Sequence, residues 1–153
     1  MDQDKVKLIE QVLRDLLQQM EVNLTEIQTQ VSEETLVFNL KSFDSGILIG
    51  GRGVNLAALQ YMARLLVHKR LAEPVNFVVD VEGYKKNREE FLRELARQAA
   101  ARVRETKEGL LLKPMLSYER RVVHSELSNL PDIATESTGE EPERRILIKP
   151  KVV

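Results

Sequence analysis

The 153-residue sequence contains no cysteine and only two histidines. Without cysteine, disulfide bonds, thiolate catalysis and cysteine-based zinc sites are all excluded. His68 and His124 are then the sole candidate nitrogen ligands, which is too few for a dedicated metal site. We therefore expect neither a metal nor a cofactor.

Long apolar runs are also missing. A membrane-spanning helix needs about 20 consecutive apolar residues, and the first ten residues carry charge from Asp2 onward, unlike a standard secretion signal. A hydrophobic fraction of 42% together with 31% charged residues is typical of a globular domain with a folded core. The sequence therefore predicts a cytoplasmic protein without membrane insertion.

Charge is unevenly distributed along the chain, although the net charge is only -1. Residues 1–43 hold 4 basic and 8 acidic side chains, and residues 126–153 hold 4 and 6. Residues 44–125 hold 15 basic and 10 acidic side chains, so the basic excess lies in the middle of the chain. A polyanion partner would contact this middle part.

The first half shows a mixed pattern of helices and strands. Apolar residues at helical spacing predict a helix over residues 5–20. Two alternating segments then predict a hairpin, with its turn at residues 32–34 and one buried face made of Ile27, Thr29, Val31, Leu36, Phe38 and Leu40. A short helix capped by Ser45, a glycine-rich interruption, a helix to about residue 69 and a strand over residues 75–81 complete the order helix-strand-strand-helix-helix-strand.

The second half begins with a long helix over residues 84–106, whose predicted core face comprises Phe91, Leu92, Leu95, Ala99 and Val103. Gly109 is expected to end this helix. A short strand over residues 110–113, a helix over 117–127 and strands over 133–137 and 144–149 follow. The fold class is therefore α+β, with a division into residues 1–82 and 83–153.

A glycine loop joins the two helices of the first half. Its residues are Ile49, Gly50, Gly51, Arg52, Gly53 and Val54. Glycines let a backbone approach sugar-phosphate closely, and the following helix N-terminus favours phosphate. Arg52 adds a cation, and Ile47, Ile49, Val54 and Leu56 could line a groove for unstacked bases. The loop and the element order resemble a type II KH domain, which implies single-stranded RNA binding.

A second motif places Arg120 and His124 four residues apart, on one face of the helix over residues 117–127. Such a pair can hold phosphate, but it can also be structural, with Arg120 paired to a carboxylate and His124 at a core edge. The surrounding stretch, with Arg121 and the closing basic residues Arg144 and Arg145, resembles the R-3-H domain, a small α+β module.

The order of a KH domain followed by an R-3-H domain resembles that of the bacterial Jag family. The resemblance implies a non-enzymatic protein that binds single-stranded RNA, or single-stranded DNA, through both motifs. It also implies a small KH-only partner protein or a homodimer, and a link to growth or division of the cell envelope.

Two other functions remain open at this point. One is a protein-interaction scaffold with a degenerate KH fold, favoured by Gly51 where many KH loops carry a basic residue. The other is a hydrolase, for which Asp80 with Glu82, or Glu140 with Glu141, would be candidate carboxylates. Strand alternation would place Asp80 and Glu82 on the solvent face, and a turn explains Glu140 and Glu141, so neither pair has a convergent partner for catalysis.

Overall fold

The computed structural model describes residues 2–152. Their contacts divide the chain into two units, Met1–Lys85 and Lys86–Val153. The first unit has the order α1 Gln3–Gln19, β1 Leu24–Ser32, β2 Thr35–Ser42, α2 Ser45–Ile49, a single 3₁₀ turn Gly51–Gly53, α3 Val54–Leu71 and β3 Phe77–Val81. Helix α4, Tyr84–Thr106, begins at the end of the first unit and continues into the second.

The sheet of the first unit has the order β1-β2-β3, with β1 antiparallel and β3 parallel to β2. The predicted buried face is confirmed on β2, where Leu36, Phe38 and Leu40 are buried. Phe38 meets Phe77 of β3 edge to face, with ring centroids 5.9 Å apart. The prediction is wrong for Val31, which is 55% exposed because β1 lies at the edge of the sheet. The helix-strand-strand-helix-helix-strand order is confirmed.

Buried polar side chains complete the first unit. The Gln60 side chain of α3 donates to the Phe77 carbonyl and accepts from the Val79 N–H, so it satisfies the outer edge of β3. Asp80 was expected on the solvent face, and this prediction is wrong. Its carboxylate is buried and accepts from the Lys85 N–H at 3.0 Å, because it caps the first turn of α4. A structural cap explains this carboxylate without catalysis.

The second unit contains the rest of α4 and, in order, β4 Leu110–Leu111, α5 Ser117–Leu127, β5 Ile133–Thr138 and β6 Arg145–Pro150. Its antiparallel sheet has the order β4-β6-β5. The core is formed by apolar residues of both helices and the sheet, among them Leu92, Ala96, Val103, Val123, Leu127, Ile146 and Ile148. The α+β fold class is therefore confirmed in both units.

Some local predictions fail in the two units. Phe91 is 55% exposed rather than in the core, and the Arg88 guanidinium lies over its ring at 5.3 Å. Helix α4 ends before Lys107, which takes the left-handed conformation expected of Gly109. Ser45 is the first residue of α2 rather than its cap, and Asp44 precedes it without a side-chain cap bond.

Candidate nucleic-acid interface

The glycine loop between α2 and α3 is shaped by contacts within the first unit. Gly50 has φ +70° and ψ -179°, and a Cβ there would lie 2.6 Å from Cγ of Asn55. The Asn55 amide in turn donates to the Ile47 carbonyl at 2.8 Å. Gly53 has φ +76°, and its Cβ would lie 2.9 Å from Cε1 of Tyr84. Glycine is therefore required at both ends of the loop by its own neighbours.

Gly51 differs from the other two loop glycines. A Cβ there would meet no atom within 4 Å, so this position opens outward. Arg52, next to it, is exposed and has φ 58°. Helix α3 follows with Gly53 as its first flanking residue and without a side-chain cap, and its positive dipole end lies at the loop. The Val54 N–H, the first of this helix, donates to the Gly51 carbonyl inside the loop. The open side of the loop thus combines one arginine with the positive end of the α3 dipole.

Apolar side chains surround the loop, but not all of those expected. Ile47 is 69% exposed and Val54 is 48% exposed, whereas Leu56 is buried in the core and cannot line a groove. Ile49 is half-buried. A cavity of about 250 Å3 lies beside the loop, lined by residues of α1, α2 and α3: Leu16, Met20, Ile47, Leu48, Asn55, Ala58, Leu59 and Met62.

In the second unit, Arg120 and His124 lie on one face of α5, as their spacing predicts. The Arg120 side chain is only 9% exposed, and its two terminal nitrogens donate to the Met115 carbonyl at 2.7 Å and to Oε1 of Glu141 at 2.8 Å. His124 Nδ1 lies 2.6 Å from Oγ1 of Thr135, and Nε2 lies 3.0 Å from Oγ of Ser137. Both side chains therefore have protein partners.

The other basic residues of the second motif are more accessible. Arg121 is exposed on α5. Arg144, half-buried, donates to the Gly139 carbonyl, and its own carbonyl accepts from the Met115 N–H, which places its backbone beside the Arg120 contact. Arg145 lies near Glu143, with 3.7 Å between nitrogen and carboxylate oxygen. Arg120 and the Arg144 backbone thus converge on Met115.

A line of basic residues along α4 is largely neutralised within the second unit. Arg93 and Arg97 both pair with Glu126, at 2.9 and 2.6 Å. Arg104 pairs with Asp132 at 2.6 Å. These contacts are those of a solvated helix face, so α4 contributes little to a phosphate-binding surface.

Sequence reasoning did not find Asn55, Tyr84, Thr135, Ser137 or Glu141. Thr135 and Ser137 alternate on a predicted strand, so their common face could have been anticipated. Which carboxylate contacts Arg120 could not have been anticipated, because three glutamates lie within residues 140–143 and only tertiary packing selects one of them.

Among residues 2–152, no three histidine or carboxylate side chains converge as metal ligands. The same part of the chain contains no helix with the length and apolar content to cross a membrane.

The pKa of the His124 imidazole is lowered, first by burial and then by the positive charge of Arg120. The unfolded imidazole, with an ordinary pKa of about 6.5, takes up a proton that the folded one resists. We therefore expect the second unit to lose stability as the pH falls below about 6.5. Thermal unfolding followed by NMR signals of α5 amides between pH 5.5 and 7.5 measures this loss.

The control for this measurement uses the other histidine. His124→Gln should remove the histidine-dependent part of the pH profile, whereas His68→Gln, which alters the first unit, should leave it in place. An unchanged profile in His124→Gln would show that another group is responsible.

A type II KH unit with its glycine loop, followed by a unit with an arginine and a histidine one turn apart, defines the class of two-domain KH and R-3-H proteins. Family models agree with this class. The KH domain of the KhpA/KhpB proteins matches residues 6–81, and the R-3-H domain matches residues 90–150. The chain belongs to the KhpB family, also called Jag.

Several relatives are similar to this chain over most of its length. "RNA-binding protein KhpB" of Clostridium symbiosum is 38% identical over 150 residues, which cover 97% of this chain and 66% of that protein. The protein of the same name in Bacillus subtilis (strain 168) is 32% identical, over 95% of this chain and 75% of the relative. The Lactiplantibacillus plantarum protein is 36% identical over 72% of this chain, which spans 34% of that relative's length.

Proposed function

We propose that the chain binds single-stranded RNA, with sugar-phosphate on the open side of the glycine loop. The observation that carries this proposal is the geometry of Gly51, Arg52 and the start of α3, where an outward-facing glycine, a cation and the positive end of a helix dipole occur together. Bases would lie against the exposed Ile47 and Val54. The relatives are named as RNA-binding proteins, which agrees with it.

The second contact is assigned to the R-3-H unit. Arg121 and Arg145 would meet phosphate first, with Arg120, His124 and Arg144 behind them. The lowered pKa of His124 favours a neutral ring that hydrogen-bonds rather than a third cation. When RNA is bound at one of two weak sites on the same chain, its effective concentration at the other site rises. Neither site therefore needs high affinity alone. The proposed activity is binding without catalysis.

Binding should depend moderately on salt. For single strands, each neutralised phosphate contributes about -0.7 to the slope of log affinity against log salt. Roughly three to five arginine contacts therefore give a slope of about -2 to -3.5. Fluorescence titrations of an unstructured RNA at several salt concentrations measure it, with single-stranded DNA of the same sequence as comparison. Absence of binding would refute the proposal, and a slope near zero would exclude phosphate contact.

A second candidate function is protein interaction through α3. Val54, Ala58, Tyr61, Met62 and Leu65 recur at helical spacing and are all exposed, which forms an apolar helix face. We propose a second KH domain as its occupant, either from another copy or from a KH-only protein. Sedimentation equilibrium of the chain tests the homodimer directly. A role in RNA regulation linked to envelope growth or division is proposed on the family resemblance alone.

A further inference from the structure

In the proposed R-3-H site, the Glu141 carboxylate already pairs with the Arg120 guanidinium. The Arg120 side chain is 9% exposed, while Glu141 is 58% exposed. One terminal nitrogen of the guanidinium is held from inside by the Met115 carbonyl, and the other is held from outside by Glu141. An RNA phosphate that approaches Arg120 from solvent therefore meets the Glu141 carboxylate first.

A carboxylate and a phosphate compete for the same donors of arginine. The planar guanidinium fork fits the oxygens of either group, and both carry negative charge. Glu141 also lies in an acidic turn, because Glu140 and Glu143 flank it within residues 139–143. The side chain is thus placed and charged as a substitute for the phosphate of a ligand.

The turn does not depend on this ion pair for its shape. The Glu143 N–H donates to the Glu140 carbonyl at 2.9 Å, and Arg144 donates to the Gly139 carbonyl at 2.7 Å. The Glu141 carboxylate is solvated by water when the pair opens, whereas the Arg120 guanidinium, 9% exposed, then needs another anion in its place. Glu141 can therefore swing away while the turn keeps its own hydrogen bonds.

We propose that Glu141 is an internal competitor that closes the Arg120 site and that RNA phosphate displaces it on binding. This inference rests on the proposed RNA binding and names a residue that sets its affinity. In the free protein Glu141 occupies a donor nitrogen of Arg120. The more tightly a ligand phosphate binds the guanidinium, the larger the fraction of molecules in which it displaces Glu141. The apparent dissociation constant is then the intrinsic one divided by the fraction of open sites.

The test compares two neighbouring neutralising substitutions. E141Q and E140Q remove the same charge from the same turn, but of these two glutamates it is Glu141 that pairs with Arg120. Because water solvates Glu141 when the pair opens, we expect a modest occlusion of about two- to fivefold, and E141Q should raise the affinity for single-stranded RNA by the same factor. E140Q should give less than half that gain, because it changes only the general charge. Circular dichroism verifies the fold of both variants.

A second measurement follows the displacement itself. In the native chain, the carboxyl ¹³C signal of Glu141 should move toward the position of a solvated glutamate as RNA is added, while that of Glu140 moves less. Equal affinity gains in E141Q and E140Q, a loss of affinity in E141Q, or a stationary Glu141 signal in an RNA-bound chain would overturn the competitor role and leave RNA binding intact. Absence of RNA binding in the native chain and both variants would overturn the proposed function as well.

Discussion

Gly51→Asp should lower the affinity of the chain for single-stranded RNA by about tenfold or more, without unfolding the KH unit. The side chain has room, because a Cβ at this position meets no atom within 4 Å. It places a negative charge where phosphate approaches the loop and offsets the charge of Arg52. Two unit charges about 4 Å apart repel by about 4 kcal/mol at an effective dielectric constant of 20, and about half that at twice the distance. Even the smaller value exceeds a factor of ten.

Two variants separate charge from bulk in this experiment. Gly51→Ala adds a side chain without charge and should bind RNA nearly as well as the native chain. Gln3→Glu adds the same charge at the exposed first residue of α1 and controls for net charge. Gly50 is unsuitable for substitution, because a side chain there collides with Asn55. Unchanged affinity in folded Gly51→Asp, measured by fluorescence titration, would remove the loop from the RNA site.

Arg88→Met should destabilise the R-3-H unit by about 3 kcal/mol or more. Glu119 is fully buried, and its carboxylate accepts from Nε of Arg88 at 2.8 Å and from the Leu116 N–H at 3.1 Å. Removing the arginine leaves a buried charge without its partner, which typically costs about 3–5 kcal/mol. The lower end applies because Arg88 is 22% exposed. Methionine also removes the guanidinium from the Phe91 ring, a cation–π contact worth about 0.5–1 kcal/mol at an exposed site, so most of the loss reports on the ion pair.

Hydrogen exchange of the α5 amides measures this loss in the whole chain, because it reports opening of the R-3-H unit separately from the KH unit. Arg93→Met is the control, since Arg93 pairs with the half-exposed Glu89 and with Glu126, which keeps Arg97 as a partner, so the opening free energy should change little. Glu119→Gln should cost less than Arg88→Met, because Arg88 can turn to water. A loss below about 1 kcal/mol in Arg88→Met would show that water reaches Glu119.

Much of the fold could be predicted from local patterns. The bounds of α4 and α5 agree with those expected from apolar spacing, and the four-residue spacing of Arg120 and His124 does place them on one helix face. Such features depend on residues close in sequence. The glycine loop was recognisable for the same reason, although its open glycine, Gly51, is not one of the two required by neighbouring side chains.

The errors concern contacts that the period of a helix or strand does not reveal. Asp80 follows the alternation of a strand but caps the next helix, and Phe91 follows the helical period but supports Arg88 at the surface. Glu141 reaches Arg120 from 21 residues away. Periodicity shows which face of an element a residue occupies, but it does not show what lies opposite that face.

The Gln60 side chain has a consequence for how the KH sheet meets other chains. An edge strand normally offers a row of backbone donors and acceptors to which a foreign strand can add. Gln60 engages the Val79 N–H at 2.6 Å and the Phe77 carbonyl at 3.2 Å, so a side chain occupies the pairing positions of β3. Strand addition and amyloid-like stacking are therefore blocked on this side of the sheet. Within this sheet β1 is then the remaining edge, where Val31 is exposed among mostly polar residues, and Gln60 in effect protects the β3 edge against aggregation.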